Sequence, residues 1–148
     1  MASQHGPDDA IGARLVRAAA AARERAYAPY SRFAVGAAAL FADGRIHDGC
    51  NVENASLGAT RCAEQVAVLK GVSTGQRELI ALAVVCDAPE PAWPCGVCRQ
   101  VIGEFGQDAT IYAANVAGAV LTDRLSSLQP HAFGPESLRA EGHDNSSS

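Results

Sequence analysis

The chain has 148 residues, a length suited to one domain, and 48% of them are hydrophobic, enough for a sizeable core. The formal net charge is −4 and no run of Lys and Arg forms a basic stripe, so we expect no nucleic-acid surface. The sequence has no stretch of about 18 apolar residues, as a membrane-spanning helix requires. Residues 1–10 lack the apolar core of a secretion signal. We therefore expect a cytoplasmic protein with reduced thiols.

The hydrophobic pattern alternates between helical and strand periods along the chain. It predicts, in order, a helix over 9–25, strands over 33–41 and 45–52, a helix over 61–72, a strand over 78–87, a helix over 95–105 and a strand over 110–115. Asp8 or Asp9 can cap the first helix, and Asp43-Gly44 indicates a hairpin between the first two strands. A further strand can begin at Val120 or Leu121, and residues 121–128 are predicted to be helical.

This order of elements predicts an α/β protein, an α-β-α layered sandwich with a mixed five-stranded sheet between helices. We expect residues 1–8 to be a flexible N-terminus, 9–140 to form the domain, and 141–148 to be a disordered tail. The two crossover helices, over 61–72 and 95–105, begin just past the ends of neighbouring strands. Open α/β sheets commonly bind ligands at such strand ends.

Two short segments at these helix starts fit together as one metal site. They are Cys62-Ala63-Glu64 and Pro94-Cys95-Gly96-Val97-Cys98. Cys95 and Cys98 are three residues apart on one helical turn, so both sulfurs can reach the same ion. Helix N-termini favour thiolate over thiol. A zinc site with three cysteine ligands leaves one coordination position for water, which is typical of catalytic zinc.

Glu64 stands two residues from Cys62 and can face the same cleft without binding the metal. A Cys or His two residues before such a glutamate, followed by Pro-Cys-x-x-Cys, is the signature of zinc-dependent deaminases. The alternatives for the C-x-x-C pair alone are a redox pair or half of a structural zinc site. A structural site needs a fourth ligand, and the four histidines do not stand at ligand spacing from a cysteine. We interpret Cys50 and Cys86 as buried small hydrophobic residues.

From residue 27 to residue 138 the chain resembles the small, single-domain cytidine deaminases. The resemblance rests on the joint order and spacing of six segments: YAPYSRF at 27–33, VGAA at 35–38, GCNVENA at 49–55, CAE at 62–64, PCGVCRQV at 94–101 and FGPESL at 133–138. It implies zinc-dependent hydrolytic deamination of cytidine and 2′-deoxycytidine to uridine and 2′-deoxyuridine, with release of ammonia. The cellular role that it implies is pyrimidine salvage.

The resemblance also implies roles for individual residues. Cys62, Cys95 and Cys98 would hold one Zn²⁺ per subunit, and Glu64 would be the catalytic acid and base. Asn51 and Glu53 would hydrogen-bond the ribose hydroxyls, and Phe33 would contact the nucleoside, as Tyr30 could. The pyrimidine would be oriented by the backbone N–H of Ala63 and the carbonyl of Ala55.

A homotetramer is implied as well, with sites completed by neighbouring subunits. Phe133 would enter an adjacent subunit's site, and the loop around Leu57 would lie near another. The chain departs from the family's usual pattern at Gln65, where an Arg often donates to the ligand thiolates, and at Leu57, where a Tyr is common. We hypothesise that Arg61 or Arg99 partly compensates for the missing charge.

Three other functions remain open from the sequence. The chain could be a deaminase of a modified aminonucleoside such as blasticidin S, but its Asn51-x-Glu53 segment and Phe133-Gly134-Pro135-Glu136 segment disfavour this. It could edit nucleic acids, which its acidic charge balance disfavours. It could also be a non-enzymatic zinc-structural protein.

Overall fold

The computed structural model describes residues 3–4 and 9–139. Its helices and strands, in chain order, are β1 Ser3–Gln4, α1 Ala10–Arg23, β2 Val35–Phe41, β3 Ile46–Cys50, α2 Ala63–Ser73, β4 Leu79–Cys86, α3 Gly96–Phe105, β5 Thr110–Asn115, β6 Val120–Arg124 and α4 Leu125–Leu128. Short 3₁₀ turns occupy Leu57–Ala59 and Pro135–Leu138. The tail predicted over 141–148 lies outside the described residues. None of the described helices is both long and apolar enough to cross a membrane.

The strands form one mixed sheet in the order β1-β6-β5-β4-β2-β3. β4 and β5 pair in parallel, whereas β2 pairs antiparallel with both β3 and β4, and β5 pairs antiparallel with β6. This confirms the predicted mixed sheet of five strands between helices. The two-residue β1, which belongs to the segment expected to be flexible, extends the sheet by pairing with β6.

The helix predicted over 121–128 is wrong for its first half. Residues Val120–Arg124 form β6, and only Leu125–Leu128 are helical. β6 pairs with β5 from Thr110 opposite Arg124 to Ala114 opposite Val120. The free edge of β5 offers these residues a full ladder of backbone hydrogen bonds, and that pairing overrides a weak local preference for helix.

Two boundaries predicted from the sequence, the start of α1 and the turn between β2 and β3, are confirmed. The Asp9 side chain accepts a hydrogen bond from the Gly12 N–H at 2.9 Å and so caps α1. Gly44 has a φ of 84°, a left-handed conformation that glycine adopts without steric cost, and it closes the β2–β3 hairpin.

Helices cover both faces of the sheet. On one face, Leu15 and Ala19 of α1 pack against the sheet residues Ala83 and Tyr112. On the other face, α2 and α3 pack in a second cluster, which includes Phe41, Ala63, Val68, Leu82, Ile102 and Ile111. The strands expose alternate residues to the two faces, so both faces of β2 and β4 are buried. The crossover helices α2 and α3 therefore both pack against the sheet, and this packing sets where each helix begins.

Close approach between α2 and β3 depends on Gly49. A Cβ atom at this position would lie 2.6 Å from the backbone N of Ala67 and 2.8 Å from the carbonyl O of Ala63, both in α2. Neither backbone atom can move without moving the helix. Gly49 therefore sets the depth at which the first turns of α2 pack on the sheet.

Asp48, on β3, joins two other elements through ion pairs. It accepts hydrogen bonds from Arg25 at 2.8 Å, just after α1, and from Lys70 at 2.9 Å, on α2. The hydrogen bond from Lys70 is the largest influence on its carboxyl, and Arg25 adds to it, so the pKa of Asp48 lies below its ordinary value although partial burial opposes the shift. Asp48 thus ties α1 and α2 together across the edge of the sheet.

We expect Asp48→Asn to lower the free energy of unfolding by roughly 0.5–1 kcal/mol near neutral pH, because the pairs are partly exposed. A carboxyl whose pKa is depressed by folding stabilises the protein fully above its ordinary pKa of 3.8. That stabilisation disappears as the pH falls through the lower folded-state pKa. Urea unfolding of both proteins at neutral and at strongly acid pH measures this. A stability difference that does not shrink in acid would contradict the electrostatic origin.

Candidate active site

Two of the three candidate metal ligands are the N-cap residues of crossover helices. Cys62 precedes α2 and Cys95 precedes α3, both with extended backbone conformations, and neither side chain makes a capping hydrogen bond. Cys98 is in the first turn of α3 and is fully buried. Because α2 follows β3 and α3 follows β4, both helices begin at the same edge of the sheet. The sulfurs are therefore free to point at a common centre.

The three sulfurs converge. The Sγ atoms of Cys62, Cys95 and Cys98 all lie within 4.8 Å of one another, and those of Cys95 and Cys98 are 3.5 Å apart. Tetrahedral zinc with bonds of about 2.3 Å to sulfur places its sulfur ligands roughly 3.8 Å apart. The donor set and its spacing thus fit Zn²⁺. Within the described part of the chain, no fourth Cys, His, Asp or Glu joins this group.

A hydrogen bond between two of the cysteines shifts the pKa values of their thiols in opposite directions. The hydrogen bond with Cys98 is the main cause that lowers the pKa of Cys62 to about 7, and the charge of Arg61 contributes in the same direction. Burial and the Glu64 carboxylate oppose the shift. The same hydrogen bond raises the pKa of the Cys98 thiol, which burial raises further. Cys62 is therefore the thiol that loses its proton first.

Glu64 lies in the first turn of α2 and only 5% of it is exposed. Burial raises the pKa of its carboxyl, while hydrogen bonds with its own backbone N–H and with Cys98 oppose the shift. It lines the same cleft as Cys62 and Cys95 without belonging to the metal-ligating group. A buried carboxyl with a raised pKa is suited to general acid and base catalysis.

Gln65 donates from Nε2 to the Cys98 sulfur at 3.9 Å and is 7% exposed. The hypothesis that Arg61 or Arg99 partly compensates for the missing charge is supported for Arg61 by its charge, and neither arginine acts through a hydrogen bond to a sulfur. Arg61 donates to the carbonyls of Gly58 and Thr60, and Arg99 donates to those of Pro94 and Leu128. Both guanidinium groups are engaged by backbone oxygens because each follows a loop whose carbonyls need donors. Of these two arginines, Arg61 is the one that affects the site, because its charge helps to lower the pKa of Cys62.

A cleft of about 310 Å³ opens beside the three sulfurs. Its walls are formed by Ser31, Phe33, Val35, Asn51, Glu53, Thr60, Cys62, Ala63, Glu64, Val84, Cys86, Ala92, Trp93 and Cys95. Cys62, Cys95 and Glu64 form what we call its metal end, and Ser31, Asn51 and Glu53 add hydroxyl, amide and carboxylate groups to the wall. None of these lining residues, all in the described part of the chain, is a Lys, Arg or His. The cleft suits an uncharged ligand with one hydroxylated end.

The polar end of the cleft is held together by the two side chains that the resemblance assigns to ribose. Asn51 accepts from the Val35 N–H at 2.9 Å and donates to the Phe33 carbonyl at 2.8 Å. Glu53 accepts from the backbone N–H of Tyr30 at 2.9 Å and from the hydroxyl of Ser31. The Ser31 hydroxyl is the main cause that lowers the pKa of Glu53. These contacts fix segment 30–35 as a wall of the cleft.

Some predicted site residues lie outside this cleft. Ala55 and Leu57 are exposed in the 3₁₀ loop, with Leu57 78% exposed. Phe133 is 59% exposed and borders a second hollow beside α3 and α4. Tyr30 is exposed next to the cleft without lining it. The resemblance assigns Leu57 and Phe133 to neighbouring subunits' sites, so one chain alone is not expected to bring them in.

Other lining residues escaped the sequence reasoning. Ser31, Thr60 and Trp93 come from three separate loops, and no spacing rule joins them to the cysteines. Thr60 and Trp93 each stand two residues before a cysteine of the triad. That shared position was the one available signal, because residues just before a helix lie on the same side of the sheet as its N-cap residue.

Known proteins resemble this chain over most of its length. Residues 11–114 match the family described as “Cytidine and deoxycytidylate deaminase zinc-binding region”. The chain belongs to this family. The cytidine deaminase of Halalkalibacterium halodurans is 47% identical over 125 residues, which cover 84% of this chain and 95% of the relative. The cytidine deaminase of Mycobacterium tuberculosis is 49% identical over 116 residues, which cover 78% of this chain and 84% of the relative.

Solved structures of the family share the fold. The crystal structure of cytidine deaminase from Burkholderia pseudomallei superposes with a TM-score of 0.79 at 45% identity, over 82% of this chain and 98% of that one. The Mycobacterium tuberculosis enzyme superposes with a TM-score of 0.73 at 46% identity, over 85% and 99% of the two chains. The matching family region is described as zinc-binding, and the three-cysteine cluster described above fits Zn²⁺.

Replacing one zinc ligand tests the triad directly. We expect Cys98→Ser to lower zinc affinity by more than about 100-fold, since loss of an outer-sphere partner alone typically costs about 10–100-fold. Cys50→Ser is the matched control, because Cys50 lies outside the sulfur cluster. Metal content after dialysis against a chelator, measured by mass spectrometry, gives the result. Equal zinc retention by both variants would show that the Cys98 sulfur is not a ligand.

Proposed function

We propose that this chain catalyses the hydrolytic deamination of cytidine and 2′-deoxycytidine to uridine and 2′-deoxyuridine, with release of ammonia. One observation carries the proposal: a buried carboxyl, Glu64, and the converging cysteines share a cleft whose wall also carries the polar side chains of Ser31, Asn51 and Glu53. The family membership and the cytidine deaminases that are 47% identical across most of the chain support it.

The chain's own residues have defined tasks in this reaction. Cys62, Cys95 and Cys98 hold the zinc ion, which when bound supplies the Lewis acidity that makes water a nucleophile near neutral pH. Glu64 takes a proton from the attacking water and delivers it to N3 of the pyrimidine. It then passes a second proton to the amino group on C4, so that the C4–N bond breaks and ammonia leaves. Its raised pKa matches this two-way transfer.

The rest of the cleft orients the nucleoside. Asn51 and Glu53 each retain hydrogen-bonding capacity beyond their contacts to segment 30–35, and this serves the ribose hydroxyls. Ala63 begins α2, so its backbone N–H has no partner within the helix and can donate to the pyrimidine carbonyl. Phe33, 42% exposed, offers an apolar face to the nucleoside.

The charge of the cleft favours a nucleoside over a nucleotide. The family description names deoxycytidylate as well as cytidine. A 5′-phosphate requires a cationic or helix-terminal partner at the sugar end. Among the described residues that line this cleft, the sugar end carries the Glu53 carboxylate and no cation. Repulsion between two anions makes deoxycytidylate the poorer substrate.

The same cleft also separates this function from its rivals. A modified aminonucleoside such as blasticidin S does not offer the ribose hydroxyls that Asn51 and Glu53, both in the cleft wall, are proposed to bind. Nucleic-acid editing requires a basic track for phosphates, which the chain's net charge of −4 disfavours. A zinc-structural role requires a fourth ligand, and the sulfur cluster has three members in the described residues. Ammonia release from each candidate substrate distinguishes these functions.

A cytoplasmic location and a role in pyrimidine salvage follow from the proposed reaction. Three ligating cysteines have to stay reduced, as they do in the cytoplasm. The products are nucleosides that salvage pathways recycle.

Removing the Glu64 carboxylate tests the acid–base role. We expect Glu64→Ala to lower kcat for cytidine by about 10²–10⁴-fold while zinc content stays unchanged, because the side chain moves protons and does not bind the metal. Glu64→Gln keeps the shape and serves as the control for packing. The decrease in ultraviolet absorbance as cytidine becomes uridine measures the rate. Wild-type rates in either variant would refute the assignment.

The proposed assembly is a homotetramer in which Leu57 and Phe133 lie beside clefts of neighbouring subunits. Both are exposed apolar side chains, as is Leu138, which is 77% exposed, and such side chains are typically covered in an assembly. Gln100 donates to the Phe133 carbonyl at 2.9 Å and so ties this residue to α3. The C-terminal segment is thereby presented outward in a fixed position.

We expect a tetramer by light scattering coupled to size exclusion. Phe133→Ala should raise KM for cytidine by roughly 10-fold, the cost of losing an aromatic contact to a ligand, without loss of zinc. A monomer with full activity, or a variant with unchanged KM, would contradict the shared site.

A further inference from the structure

Trp93 lines the cleft that also contains Cys62, Cys95 and Glu64, and it is the only tryptophan in the chain. It stands two residues before Cys95, and it shares the cleft wall with Cys62 and Glu64. It is half-buried and packs against the hydrophobic core on which α2 and α3 lie. Among the residues around the sulfurs it has by far the largest side chain, since its neighbours in the wall include Ala63 and two cysteines.

The segment that carries Trp93 is stiff. Residues 87–94 contain three prolines, Pro89, Pro91 and Pro94, each of which fixes φ. Pro94, next to Trp93, is fully buried.

Hydrogen bonds hold both ends of this segment. The buried Asn115 donates from Nδ2 to the carbonyls of Ala88 and Pro89, both at 3.2 Å. Arg99 donates from Nε to the Pro94 carbonyl at 2.7 Å. A wall anchored on both sides of the indole has little freedom to retreat from a ligand that is too large.

The chemistry of the proposed reaction decides which part of the base meets this wall. C4 of the pyrimidine has to lie between Glu64 and the sulfur cluster. The atoms nearest C4 are the exocyclic amine and C5, so groups attached to them point toward the metal ligands, and Trp93 stands two residues before one of these, Cys95. Asn51 and Glu53 belong to other segments of the wall, so a change at Trp93 leaves them in place.

We infer that Trp93 is a specificity-determining residue, which admits an unsubstituted cytosine and excludes bases carrying a larger group on the exocyclic amine or on C5. This inference rests on the proposed cytidine deamination. A rigid apolar wall discriminates by steric overlap, and one methyl or methylene group in such a site is typically worth about 10–200-fold in kcat/KM. Removing the indole relieves the overlap, whereas the sugar contacts and the proton transfer stay as they are.

The experiment compares zinc-loaded wild type, Trp93→Ala and Trp93→Phe on cytidine, 5-methylcytidine and N4-methylcytidine. The expected result is a rise of about 10-fold or more in the ratio of kcat/KM for at least one methylated substrate to kcat/KM for cytidine in Trp93→Ala. Trp93→Phe should lie between the other two proteins. A purely structural role would lower kcat/KM for all three substrates together and leave these ratios unchanged.

Fluorescence supplies a second readout that needs no variant. Since Trp93 is the sole indole, its emission in the zinc-loaded wild type should change on titration with the product uridine and saturate with a single dissociation constant. No change in emission at saturating uridine would place the indole away from the ligand and overturn the inference even if Trp93→Ala fails to fold.

The remaining outcomes separate the two proposals. Turnover of cytidine by the wild type with unchanged substrate ratios in Trp93→Ala overturns the inference and leaves the deaminase function intact. Absence of cytidine turnover by the zinc-loaded wild type overturns the function itself.

Discussion

The site depends on two helices beginning at one point. Cys62 and Cys95 cap α2 and α3, and their sulfurs meet only because both helices are crossovers that start at the same edge of the sheet. Gly49 allows α2 to lie against β3 at backbone distance, so the depth of the helix, and with it the position of Cys62, is set by packing. A zinc ion tolerates errors of a few tenths of an ångström in its ligands, and a rigid sheet edge meets that demand.

This arrangement concentrates negative charge in a buried place. Three thiolates and a carboxylate converge, and no guanidinium donates a hydrogen bond to a sulfur. The partial positive charges of two helix N-termini and the neutral donor Gln65 provide the local compensation within the chain, and the divalent cation supplies the rest. Burial raises the pKa of the Glu64 carboxyl, because a carboxyl out of water holds its proton more firmly.

Asn51 and Glu53 stabilise the fold through hydrogen bonds to the backbone, and the same side chains are proposed to bind the ligand. Asn51 satisfies the backbone where β2 begins, and Glu53 does the same for the loop before it. An amide and a carboxylate that are already anchored by hydrogen bonds lose little entropy on meeting a sugar, which makes them efficient recognition groups. Their anchoring also keeps segment 30–35 in place when the cleft is empty of ligand. The apolar wall formed by Trp93 is stiffened in a comparable way, by prolines and by hydrogen bonds at both ends.

The sequence by itself determined everything that local spacing encodes. Two cysteines on one helical turn, a third before another helix and a glutamate two residues on from it specify the metal triad and its carboxyl neighbour. Capping by Asp9 and the Asp-Gly turn fixed element boundaries in the same way, since each involves residues within one turn of chain. Tertiary structure decided between strand and helix for Val120–Arg124, which completes the sheet, and it made Gln65 the donor to a ligand sulfur. It also placed Trp93 in the wall of the cleft, because contacts between distant segments depend on how helices pack on the sheet and no local pattern records that packing.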